Sequence, residues 1–227
     1  LDLYFAFGLA IGGETATRLY HFLFAALLAA GLAAVAHEWF SGRAAFAATV
    51  AFLTIPSVLV VTPLAYVDLA FCLYGFLALI AVIRLVEEPS SRSLLAAAVM
   101  AGGAWATKYT GLQLTLLLVA VVLIGRLRKA ELRVLMEGAV LSGIAFLFVL
   151  PYLVRNWLLT GWPLFPFQLG PLMLDPAINW DPERAQLFLQ WLGHFGGEAT
   201  GLTLADRLIA PIAVFIKGKF NDPTAYD

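Results

Sequence analysis

The sequence predicts an all-α fold, a polytopic bundle of transmembrane helices, and three observations carry that expectation. Hydrophobic residues fill 62% of the 227 positions and charged residues only 13%, against roughly a quarter charged in an ordinary soluble domain. The mean hydropathy is +0.88. Apolar runs of membrane-spanning length also recur along the chain, each near the ~20 residues that a helix needs to cross ~30 Å of hydrocarbon.

Residues 1–11 read as the last turns of a helix, stopped at Gly12 and Gly13, because glycine is the usual residue after a helix end. Runs at 18–38, 44–62, 66–86 and 134–154 each predict a whole span. The runs at 93–107 and 111–125 are shorter and meet at the polar string TKYTG, which predicts two short spans joined by a recessed turn. The expectation is six whole spans and one partial one. Residues 1–154 form the bundle, and 155–227 form an extracytoplasmic interfacial segment that leads to a further helix. That second part carries Trp157, Trp162, Trp180 and Trp191 and most of the prolines, a composition typical of chain lying at a membrane interface. Within it, Asp181 before Pro182 predicts an N-cap with proline at the first helical position, and Leu187, Phe188, Trp191, Leu192 and Phe195 follow on one stripe. Such a helix lies flat on the bilayer. Thr203 and Asp206 predict the start of another short helix, bent by Pro211.

Orientation follows from lysine and arginine, which are retained on the cytoplasmic side in short loops. Arg126, Arg128, Lys129 and Arg133 share one loop, and strict alternation places Arg43, Arg84 and Arg92 on the same side. Three cations fall opposite: Arg18, Lys108 and Arg155, each at the mouth of a span, where a cation calls for an anionic partner. A formal net charge of −1 gives no global field for nucleic acid. The single cysteine, Cys72, excludes an intrachain disulfide framework and reads as a small buried hydrophobe.

The outer segments bring the chemistry-bearing residues to one face. Asp68 stands at the start of a span, where an ionised carboxylate is unfavourable unless hydrated, paired or metal-bound. It reads as facing a cavity, with helix capping as the alternative. Lys108 and Tyr109 occupy the recessed turn, and either an anionic ligand or Asp68 would compensate the ammonium; a snorkelling lysine is the plainer reading. Arg155 and Asn156 precede Trp157 at the water boundary, a place for bidentate phosphate binding or for an ordinary interfacial anchor. His21 reads as hydrogen-bonded within the bundle, with assistance to the site as the alternative. No nucleotide loop, zinc helix or nucleophile elbow occurs. Together these residues suit a lipid-linked phosphate substrate.

The strings GGETATRLYHF, AYVDLAFCLYGFLAL, GGAWATKYTGL and, above all, LPYLVRNWLLTGWPLFPF resemble membrane glycosyltransferases of the GT-C class, the group related to protein O-mannosyltransferases and to the aminoarabinose transferase of lipid A. The resemblance implies inverting transfer of a sugar from a polyprenyl-phosphate donor to a glycan, lipid or protein acceptor outside the bacterial inner membrane. It casts Asp68 as a second outer acid supporting the acceptor or a divalent cation, and Lys108 and Arg155 as contacts to the donor phosphate. In this class the proposed general base lies in the first outer loop. The expectation is therefore a fragment that begins beyond its base and is inactive alone. A secondary transporter or lipid flippase is the alternative, since recessed turns and intramembrane charges also line substrate paths. An oligosaccharide ligase or polymerase shares the lipid-phosphate logic.

Overall fold

The computed structural model describes residues 2–126, 132–167 and 181–195, and eight helices with no strand occur among them. Helix α1 (Asp2–Trp39) is interrupted where the sequence predicts, at Gly12 and Gly13. Gly13 has φ +65° and ψ −156°, a conformation open to glycine and rarely to residues with a Cβ. From there to Trp39 the helix is continuous and carries His21 into the interior.

The run at 44–62 does not form one span. It divides into α2 (Gly42–Leu53) and α3 (Pro56–Val61). Pro56 has no amide hydrogen to continue the ladder and holds the residue before it extended, Ile55 at φ −63° and ψ 121°. Thr54 completes the break by donating its hydroxyl to the carbonyl of Val50 at 2.8 Å. Ser41 opens α2, its hydroxyl accepting the Ala44 amide at 3.2 Å.

Helices α4 (Asp68–Glu87), α5 (Ser91–Thr107) and α6 (Gly111–Arg126) stand where the pattern puts them, and the turn at 108–110 joins the last two. Helix α7 (Leu132–Thr160) outruns its expected 134–154 and continues through Pro151. Among the described residues three helices are long and apolar enough to cross a membrane: Phe5–Trp39, Asp68–Glu87 and Leu132–Thr160. The expected six whole spans thus reduce to three of full length, because the second run is broken and α5 and α6, at 17 and 16 residues, reach only about 25 Å.

The described residues fall into two compact units that divide after Pro151. In the first, small residues bring backbones together. Ala78, Ala81 and Val82 of α4 meet Ala97, Ala98 and Ala101 of α5, and Leu118 and Val122 of α6 with Leu141 and Ala145 of α7 complete the cluster. A methyl group built on Gly102 would lie 2.6 Å from the Phe148 ring and 3.1 Å from the Ala145 backbone, the close approach that small residues permit between membrane helices. The outer faces remain apolar, with Phe46 73% and Ile124 67% exposed, as lipid contact requires.

In the second unit, α7 ends at Thr160 and Gly161 turns the chain with φ +75°. Helix α8 (Pro182–Phe195) begins as its sequence predicts: Asp181 Oδ1 accepts the Arg184 amide at 2.8 Å. Phe188 of α8 packs on Phe167, ring centres 5.9 Å apart. The expected second short helix at Thr203 and Asp206 lies outside the described residues.

A buried ion pair ties α6 to α7. Arg126 and Glu137 are both almost wholly buried and hydrogen-bonded to each other, and Arg133 Nε reaches the second oxygen of Glu137 at 3.1 Å. Removing one partner of a buried pair strands the other charge. Glu137→Ala is therefore expected to destabilise the protein by about 3 kcal/mol, measured as a lowered melting temperature in detergent, whereas Glu88→Ala, at the exposed C-cap of α4, should change it by no more than about 0.5 kcal/mol.

Candidate functional site

Two residues that the sequence sets 40 positions apart meet in the first unit: Lys108 Nζ donates to Asp68 Oδ1 at 3.1 Å. Both side chains are about half exposed. Each is positioned by a helix end. Asp68 is the first residue of α4, where its negative charge suits the helix dipole. Lys108 is the C-cap of α5, where a cation suits the opposite pole. Asp68 does not cap α4 with its side chain; Val67 holds the cap position and makes no side-chain bond.

His21 performs that capping from another helix. The ring is fully buried; Nε2 accepts the Leu69 amide at 3.3 Å, and Nδ1 lies 2.8 Å from the Val61 carbonyl. An amide can only donate and a carbonyl can only accept, so the proton sits on Nδ1. One imidazole of α1 thus serves the last carbonyl of α3, which also accepts the Leu64 amide at 3.0 Å, and an early amide of α4 that the helix start leaves open. It fixes the backbone one residue from Asp68.

Gly111 fixes the other half. A methyl group built there would stand 2.2 Å from Trp105 Cα and 2.4 Å from Trp105 N, so α6 starts against the backbone of α5 and no larger residue fits. The Gly111 amide donates to the Lys108 carbonyl at 2.8 Å. Thr107 and Thr115 turn their hydroxyls back onto the carbonyls of Gly103 and Gly111, at 2.7 and 2.8 Å. The turn is rigid in hydrogen-bond terms, and Lys108 and Tyr109 project from it, both exposed.

Arg155 and Asn156 belong to the second unit. The Asn156 amide lies 3.3 Å from the carbonyls of both Pro163 and Phe165. Thr160 and Trp162 add further bonds, the Trp162 indole donating to the Phe167 carbonyl at 2.6 Å. Asn156 therefore shapes the turn after α7, while Arg155 is exposed and has no ion-pair partner among the described residues. The third opposite-side cation, Arg18, pairs with Glu14 one helical turn away at 2.6 Å. Among the described residues no three His, Cys, Asp or Glu side chains come together in a way that could hold a metal ion.

With this geometry in place, comparison with known protein families shows that residues 6–190 fit the family described as a domain of unknown function, DUF8201. The chain belongs to the DUF8201 family. The matched region runs from early α1 into α8 and includes Asp68, Lys108 and Arg155. No curated protein and no solved structure matches the chain.

Sequence reading anticipated that Asp68 could compensate Lys108, but not the bridging role of His21 or the buried Glu137. A lone histidine one turn into an otherwise apolar span is the signal that could have found the first. For the DUF8201 chain two outcomes follow. His21→Ala leaves the buried Leu69 amide without its acceptor and is expected to destabilise it by about 2 kcal/mol, read from thermal melts. Gly111→Ala forces α6 away from Trp105 and is expected to lose about 1–3 kcal/mol, while Gly143→Ala, with nothing within 4 Å, should be neutral or stabilising.

Proposed function

We propose that this chain is part of a membrane glycosyltransferase that moves a sugar from a polyprenyl-phosphate donor to an extracytoplasmic acceptor in a bacterial inner membrane. The observation that carries this reading is the half-exposed pair of Lys108 and Asp68 at 3.1 Å, set on a glycine-locked turn beside Tyr109. An ammonium held there by one exposed carboxylate is available to a second anion, because an exposed pair is worth only about 0–1 kcal/mol. The resemblance of four strings to GT-C enzymes supports the same reading and implies the donor phosphate as the anion.

In the reaction, the acceptor hydroxyl attacks the anomeric carbon as the bond from that carbon to the phosphate oxygen breaks. The electron pair goes to the phosphate, polyprenyl phosphate leaves, and the hydroxyl proton goes to a carboxylate base. Charge therefore builds on the phosphate oxygens, and a placed cation lowers the barrier by meeting it. Lys108 supplies that cation. Asp68 is the supporting acid that holds Lys108 until substrate arrives and then faces the acceptor. Arg155, in the second unit, is a candidate contact to the donor phosphate through the resemblance alone, and α5 and α6 are two short spans joined by a recessed turn.

A transporter or flippase draws on a different observation, the interruption between α2 and α3 at Thr54 and Ile55, since broken helices form substrate sites in transporters. One assay separates the two. Membranes containing the intact protein are given a radiolabelled polyprenyl-phosphate sugar. At equal membrane levels, Lys108→Ala and Arg155→Ala are each expected to lower transfer by at least about tenfold, and Asp68→Asn to lower it as well. Unchanged transfer by Lys108→Ala removes it from the site. Movement of the labelled lipid between leaflets without sugar transfer supports the transporter.

A further inference from the structure

The α4–α5 hairpin has a second feature at the end opposite Asp68 and Lys108. Some 16 residues along α4 from Asp68 stands Arg84, about 24 Å away at 1.5 Å per residue. There a cleft of about 340 Å³ opens between the two helices, at the low end of the range for small-molecule sites. Its length is apolar, lined by Leu77 and Ala81 of α4 and Ala96 and Met100 of α5. Its mouth is polar, lined by Arg84, Arg92 and Ser93. Alanines at 81 and 96 make the groove; larger side chains would fill it.

The two arginines are not spent on each other or on a buried partner. Arg84 gives Nη2 to Glu38 at 2.7 Å in a pair that is half exposed on both sides, which leaves its other guanidinium donors for another acceptor. Arg92 is exposed and has no ion-pair partner among the described residues. It sits in the first turn of α5, after the N-cap Ser90, where the helix dipole adds positive potential. Glu87 and Glu88 are close in sequence but do not line the cleft. Two forked cations above an apolar slot fit one molecule with a phosphate head and a hydrocarbon tail.

We infer that the cleft between α4 and α5 binds an anionic glycerophospholipid, its phosphate on Arg84 and Arg92 and part of one acyl chain along Leu77, Ala81, Ala96 and Met100. The site is independent of the glycosyltransferase reading. It provides a lipid that wedges the ends of α4 and α5 where Glu38 of α1 also docks, so occupancy should stabilise the bundle.

The test uses the purified chain, native mass spectrometry and thermal melts with dioleoyl-phosphatidylglycerol or dioleoyl-phosphatidylcholine. Phosphatidylglycerol is expected to remain bound and to raise the melting temperature, and phosphatidylcholine to do so far less. Arg84→Gln combined with Arg92→Gln should lower phosphatidylglycerol retention by about tenfold or more. Arg92→Lys should retain most of it, and Ala96→Phe should block it by filling the groove. Arg43→Gln, which removes a cation outside the cleft, should leave it unchanged. Because Arg84→Gln also loses Glu38, Arg92→Gln alone and Ala96→Phe decide the matter if the double variant does not accumulate. Equal retention of both lipids overturns the inference. So does an equal loss in Arg43→Gln, or a stabilisation by inorganic phosphate alone that matches the lipid.

Discussion

A chain that breaks its helices must find partners for the backbone groups that it buries at the break, because no water reaches them there. This protein breaks at the junction of α3 and α4, and the buried ring of His21 resolves it by serving the Val61 carbonyl and the Leu69 amide together. That imidazole, with the apolar contact of Ala25, Val58 and Leu69, holds α1, α3 and α4 together. Without it the start of α4 would have an open amide and Asp68 would have no fixed origin. The placement of the carboxylate that faces Lys108 is therefore set by a residue that does not touch it.

The same economy of backbone governs the other half of the site. Helix α6 can begin only where Gly111 lets it rest against Trp105, and the carbonyl of Lys108 is held by the amide of Gly111. Close approach continues at Gly103 against Tyr74 of α4, at Gly102 against α7, and through the alanines of α4 and α5. Dispersion between close-packed backbones replaces the hydrophobic effect that a soluble core would use. In α4, α5 and α6 the charged side chains stand in the first or last turn: Asp68, Arg84 and Glu87, Arg92, and Arg126.

Much of this was legible in the sequence. Periodic apolar runs gave α4, α5 and α6 nearly residue for residue, and paired glycines gave the interruption of α1. Asp181 before Pro182 gave the start of α8. The run at 44–62 misled because hydropathy averages over a proline: Pro56 removes one hydrogen bond but hardly lowers the mean, so the break is visible in backbone chemistry and not in composition. Of the site, Asp68 and Lys108 could be named because charges are rare in such runs. Asn156 could be named but its role could not, since its partners are carbonyls of a turn that no pattern encodes. Glu137 was invisible for a related reason, as the carboxylate only gains meaning when α6 and α7 lie side by side.

The Arg126, Glu137 and Arg133 cluster has a further consequence for how the chain acquires its orientation. Topology is decided on the nascent chain, when arginines leaving the ribosome are still free and count in full towards retention. In the finished fold Glu137 is shared by two of them, and one guanidinium is sealed from solvent. Carrying this junction across an apolar layer would mean either moving the assembled cluster or breaking it and stranding Glu137, and each course is costly.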